Sequence, residues 1–222
     1  MARTTAAHRR TAQALLEACG RTYAEEAGIR LRDTPQPLYR LLVLACLLSA
    51  RIRAPVAVAT ARSLADAGLK SPKAMAAATW QQRVDALGAG GYRRYDERTA
   101  TQLGDGAELL LGRYRGDVRR MYEAAGGDDA DKLREVLQEI PGLGPAGAGI
   151  FLREVQAVWP GIRPYIDGKA LEGAAQLGLP QRPEDLARLV DGDRTAALAA
   201  ALTRVALDAE AAGQVRARAA DR

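Results

Sequence analysis

The chain is predicted to be all-α. Almost every periodic segment carries apolar residues at helical spacing, alternating apolar patterns are absent, and β-branched residues are few. Taken in order, Thr11 to Glu26 places Ala, Leu and Tyr on a helical repeat, and Gly28 ends it. Asp33-Thr34-Pro35-Gln36-Pro37 reads as a rigid linker and helix start, because proline fixes φ and suits a first helical turn. Leu38 to Ala50 is nearly all apolar, the pattern of a helix buried on most sides. Pro55 opens the next helix, which runs to Ala67 before Gly68.

Ser71-Pro72 has the form of an N-cap followed by proline at the first helical position, and Thr79 is a second cap. The helix after Thr79 stops at Gly88-Ala89-Gly90-Gly91, and a long polar helix covers Arg93 to Leu111. Gly126-Gly127-Asp128-Asp129 is a turn, Asp131 to Glu139 a short helix, and Ala146 to Val158 a further one, broken by Trp159-Pro160-Gly161. Asp167 opens the next helix, which ends near Gly178. Arg182-Pro183 starts another, and Arg194 to Ala212 closes the chain. No repeat at a fixed period stands out.

With 222 residues there is room for one sizeable or two small domains with a real core. A net charge of +5 and a pI near 9.5 suit a polyanionic partner without requiring one. Cys19 and Cys46 lie in apolar helical surroundings and read as reduced core residues. One histidine and two isolated cysteines argue against a zinc site or an iron–sulfur cluster. The longest apolar run, Leu41 to Ala50, is too short to span a bilayer, and no apolar segment follows Met1-Ala-Arg-Thr-Thr. A cytoplasmic protein, monomeric and without a membrane partner, is expected.

The most informative stretch is Ile140-Pro141-Gly142-Leu143-Gly144-Pro145, between two helical patterns. Gly142 and Gly144 allow positive φ and close approach of a ligand to the backbone, since neither has a Cβ. Leu143 can turn inward and pin the turn to its own helices. The N–H groups and dipole at the start of the following helix favour an anion, and a nucleic-acid phosphate fits best. An ordinary glycine cap before a proline-started helix has the same sequence, so both readings stand on the turn alone.

Four segments in order resemble the helix-hairpin-helix DNA glycosylase superfamily, in its endonuclease III-like branch. Leu47-Leu48-Ser49-Ala50-Arg51 is similar to that family's Leu-Leu-Ser-Ala-Gln. Gly91-Tyr92-Arg93-Arg94-Tyr95 resembles the segment before its long helix. Ile140 to Ala148 resembles its hairpin, and Trp159-Pro160 with Tyr165-Ile166-Asp167 its Trp-Pro and Val-Asp sequences. The resemblance covers roughly residues 37–179. It implies a two-lobed helical fold: a six-helix barrel lobe over residues 37–158 that carries the hairpin, and a second lobe from 1–36 plus 159–222. Double-stranded DNA would lie between them with a damaged nucleotide flipped out of the stack.

The resemblance also assigns roles. Pro141, Gly142, Leu143, Gly144 and Ala146 would grip the DNA backbone. Asp167 would be the catalytic carboxylate, stabilising the oxocarbenium character of the sugar as the base departs; it is equally suited to cap its helix, and the two roles can coexist. Arg51, where the family has glutamine, would fill the gap left by the flipped base or bind phosphate. Tyr92 would intercalate, or else pack on the barrel. Arg93, in a basic cluster with Arg94 and Arg98, and Lys169, where the family often has histidine, are candidate phosphate contacts.

Two departures from the family matter. The hairpin lysine that forms a Schiff base is Ala146 here, so strand cleavage by that route is not expected. The C-terminal four-cysteine cluster is absent: Ala211 to Arg222 reads as a frayed helix end or a phosphate contact through Arg216 and Arg218. No organic cofactor is expected; a sodium or potassium ion on the hairpin carbonyls is the one ion the resemblance allows. The implied activity is that of a monofunctional DNA glycosylase of base excision repair, acting on a damaged and possibly alkylated base. The alternative is a catalytically inactive helix-hairpin-helix DNA-binding protein.

Overall fold

The computed structural model describes residues 2–220; Met1, Asp221 and Arg222, including the very end of the basic tail, lie outside it. Among the described residues the chain is all-α, with no strand. The helices are α1 (Ala2–Cys19), α2 (Tyr23–Glu26), α3 (Pro35–Ser49), α4 (Ala54–Asp66), α5 (Pro72–Ala77), α6 (Trp80–Ala89), α7 (Asp96–Tyr114), α8 (Arg119–Ala124), α9 (Ala130–Leu137), α10 (Pro145–Val155), α11 (Gly168–Gln176), α12 (Pro183–Ala187), α13 (Thr195–Leu207) and α14 (Ala209–Ala220). Single 3-10 turns cover Pro160–Ile162 and Gly192–Arg194. No helix among the described residues is long and apolar enough to cross a membrane.

Two expected helices are each divided. The Thr11–Glu26 segment breaks at Gly20, whose N–H still bonds Leu16 O at 2.8 Å, and α1 begins well before Thr11. The closing segment breaks at Asp208, whose backbone is extended and whose Oδ1 accepts the Glu210 N–H at 2.9 Å. A carboxylate that caps a new helix competes with continuation of the old one. The last of these helices, α14, is docked rather than frayed: Ala212 and Val215 are buried, and Arg216 donates to Gln176 O. The α8 helix carries no strong cap in sequence and was not expected.

The chain forms two compact units. One joins the residues up to Tyr23 with those from Ile162 onward; the other is Ala24–Gly161. In the first, α1 packs on α13 and α14, and α11 on α13, around Leu15, Ile166, Leu198, Leu202, Val205 and Val215. The α11–α13 approach depends on Gly173. A Cβ there would fall 1.9 Å from Leu202 O, so only glycine lets the two backbones meet.

The second unit is built around α3, whose Leu38, Leu41, Leu44 and Leu47 are fully buried. The α4 and α10 helices pack on α3; α5 and α6 pack on α7, and α8 and α10 on α9. Ser71 and Thr79 cap α5 and α6 through their side chains, Thr79 with a full capping box. Arg83 joins three elements by donating to Met75 O, Ala78 O and Ala100 O. Trp159, 2% exposed, stacks on Tyr122 at 4.3 Å, meets Phe151 edge-on and donates its indole N–H to Asp33.

Candidate nucleic-acid interface

The glycine turn does join two helices, α9 and α10. Its stem is fixed at three points. Asp129 caps α9 through the Lys132 N–H at 2.9 Å. Glu139 accepts the Tyr114 hydroxyl at 2.7 Å and pairs with Arg113 at 2.8 Å. Burial, with the Glu139 bond, pushes the Tyr114 hydroxyl up to about 12. Leu143, 2% exposed, turns inward as its apolar character requires, and its N–H closes a turn onto Ile140 O. Gly147 lets α10 sit tightly: a Cβ there would lie 2.7 Å from Leu143 Cδ1 and 3.3 Å from Ser49 Cβ at the end of α3.

The two glycines have different jobs. Gly142 takes φ +84°, a left-handed conformation, and a Cβ would also meet the Gln102 side chain at 2.8 Å. Gly144 is extended, caps α10, and a Cβ on it would meet nothing within 4 Å. Its absent side chain therefore solves no packing problem inside the protein. The N–H groups of Gly142, Gly144 and Ala146 have no acceptor among the described residues. Open amides at a helix start, with no acidic residue in the first turn of α10, form an anion-accepting surface.

These amides border a groove of about 540 Å³ within the Ala24–Gly161 unit. The hairpin residues Pro141–Gly144 form one wall, the end of α3 with Ser49 and Arg51 another, and Tyr92, Tyr95, Arg98 and Gln102 a third. Among the described residues no Asp or Glu lines it. Arg51 and Arg98 are exposed and have no partner among the described residues. The Gln102 carboxamide is half-buried and likewise has no hydrogen-bond partner there. At the groove's base, burial pushes the Cys46 thiol up to about 12, so it stays neutral. Two cations, open backbone donors and the absence of acid suit a phosphate chain.

Comparison with family models, curated proteins and solved structures returns no match. Of the expected DNA contacts, the groove brings together Pro141, Gly142, Leu143, Gly144, Arg51 and Tyr92. Ala146, exposed in the first turn of α10, and the exposed Arg93 do not line it.

Tyr92 takes the packing alternative. It is 2% exposed and shares a 3.1 Å hydrogen bond with Thr99, so its ring is part of the wall and not free to intercalate. Arg98 and Gln102 enter the groove instead. Their signal was present in the sequence: Arg98 and Gln102 lie at four-residue spacing on one face of α7, with Tyr95 just before its start.

Asp167 and Lys169 belong to the other unit. Asp167 caps α11, its Oδ1 accepting the Ala170 N–H at 3.0 Å. Lys169 is exposed and pairs with Glu172 at 2.5 Å, a commitment that competes with any phosphate role. Cys19 and Cys46 are both free thiols.

The glycines can be separated by substitution. Gly142→Ala should lower stability by about 1–2 kcal/mol, the cost of a left-handed alanine, read as a shifted denaturation midpoint. Gly144→Ala should leave the midpoint unchanged, because the added methyl meets nothing within 4 Å; if the turn grips a nucleic-acid backbone, the same methyl should weaken duplex binding equally for every sequence. Unchanged binding by Gly144→Ala would remove the turn from the interface.

Proposed function

We propose that the protein is a helix-hairpin-helix DNA-binding protein of two-lobed glycosylase type that hydrolyses the N-glycosidic bond of a damaged base. The observation that carries the DNA-binding half is the acid-free groove, in which Arg51, Arg98 and the unpaired amides of the Pro141–Gly144 turn face one space. Contacts of this type hold a strand without reading its sequence. Arg51 and the unpartnered Gln102 are the groove side chains suited to a distorted duplex, the first through its planar guanidinium and the second through a carboxamide that both donates and accepts.

The chemical half is assigned to Asp167. An ionised carboxylate stabilises a sugar that becomes cationic as the base leaves, and a leaving group that already carries positive charge needs little more. Ala146 supplies no nucleophile, and Lys169 is paired with Glu172, so the product is an intact strand with an abasic site. The Pro141, Gly142 and Leu143 carbonyls accept no hydrogen bond among the described residues, and oxygen ligands of that kind would suit a sodium or potassium ion.

A second reading, a binding protein without chemistry, is favoured by the same Ala146 and by the use of Asp167 as a helix cap. A panel of duplexes with alkylated, oxidised or deaminated bases distinguishes the two. Abasic product from at least one lesion, with no covalent complex trapped by borohydride, is the expected result. Duplex binding with no product from any lesion supports the inert scaffold, and no duplex binding at all rejects both.

A further inference from the structure

A second basic cavity lies in the Ala24–Gly161 unit, at the opposite end of α3 from the groove. It measures about 720 Å³ and is lined by Gly28, Arg30, Arg32, Gln36 and Arg40, with prolines 35 and 37. Among the described residues no carboxylate lines it. The α3 helix has 15 residues, about 22 Å at ~1.5 Å per residue, so the two sites cannot share one phosphate.

Three observations set this cavity apart from an ordinary solvated face. The Arg30 and Arg32 side chains are exposed, and their guanidiniums have no hydrogen-bond or ion-pair partner among the described residues. Arg40 is held between them and the α2 end, donating to Gly28 O at 3.3 Å and Ala27 O at 3.4 Å, which fixes its guanidinium at the cavity edge. The one acid between residues 28 and 40 is Asp33, and its carboxylate is committed to the Trp159 indole at 2.9 Å rather than to the arginines beside it. The start of α3 adds to the same field: Thr34 makes no side-chain cap and the first turn carries no acid. The Asp66 carboxylate acts on the Arg40 charge but does not line the cavity, so an anion inside it would be shared by the three guanidiniums.

We infer that Arg30, Arg32 and Arg40 form a phosphate-binding site, separate from the groove, for a multiply charged phosphate such as a pyrophosphoryl group. Guanidinium forks match phosphate oxygens in pairs, and two free forks beside a third suit two linked phosphates better than one singly charged diester. A free diphosphate-bearing small molecule presents such a group, whereas a strand presents only singly charged diesters. The inference does not depend on the glycosylase reading.

The test is calorimetric titration of the full chain with pyrophosphate at low salt. Saturable binding is expected, weakened at least tenfold by the Arg30→Ala/Arg32→Ala double variant and abolished by Arg32→Glu with Arg30→Ala. Both positions are exposed, so an unchanged thermal midpoint is expected and confirms the fold. The same titration in an Arg51→Ala/Arg98→Ala background, which removes the groove's two cations, should still show saturable binding that depends on Arg30 and Arg32. Absence of saturable binding in that background, or equal binding there with and without the Arg30/Arg32 substitutions, overturns the site. Competition checks the ligand class: displacement by a nucleoside diphosphate is expected, and displacement by duplex at equal phosphate concentration assigns the arginines to a strand instead and overturns the proposal.

Discussion

Asp167→Asn is expected to lower base release by roughly 10²–10³-fold, the range for removal of one preorganised charge-stabilising group. The substitution is informative because it separates two roles of the same side chain. Asparagine is as good an N-cap as aspartate, and its carbonyl oxygen can still accept the Ala170 N–H that Asp167 Oδ1 accepts at 3.0 Å. The melting midpoint and duplex affinity should therefore stay close to those of the parent while single-turnover base release falls. Asp167→Ala should lose the cap too, at about 1 kcal/mol. Release by Asp167→Asn at the parental rate would take the carboxylate out of the mechanism and leave the inert scaffold as the better reading.

Trp159→Ala should be the most damaging single truncation in the Ala24–Gly161 unit, at about 3–5 kcal/mol. The indole is stacked on Tyr122 at 4.3 Å and 8°, edge-on to Phe151, and bonded to Asp33. Removing it empties the space beneath α10 and unties the loop before α3. Trp159→Phe keeps an aromatic plane for Tyr122 and removes only the N–H donor; since Asp33 is exposed and can turn to water, that variant should cost far less, about 1 kcal/mol. Urea midpoints of the two variants decide the matter: equal losses would mean that the Asp33 bond, not the stack, holds the segment.

Much of the helical plan could be read from the sequence because its signals are local. Ser71, Thr79 and Asp167 each bond a backbone N–H three residues ahead, and a side chain of that kind announces its helix without help from the rest of the fold. Gly142 was legible for the same reason, since a left-handed turn needs glycine. Gly144 was not: its extended backbone would accept any residue, and of the two properties its lack of a Cβ allows, only the open approach is used there. The breaks at Gly20 and Asp208 were hidden because helical spacing continues through both.

The groove was half legible. Arg51 and the hairpin follow from motifs, but Arg98 and Gln102 become neighbours of the hairpin only when Gly106 on α7 lies against Ile140, with a Cβ position 3.2 Å from its side chain. Tyr92 was ambiguous in sequence because an aromatic beside a glycine can point either way; Thr99, in the first turn of α7, decides it by offering the hydroxyl a buried partner.

The division of the chain has a consequence for biosynthesis. Residues 24–161 are contiguous, so a ribosome that has released Gly161 has delivered every partner that α3 and the hairpin need. The α1 helix is in the opposite position: made first, it must wait for α13 and α14, made last, before its apolar stripe is covered. During elongation the nascent chain thus carries a finished middle and an orphaned beginning, and that early helix is the part most in need of shielding by a chaperone.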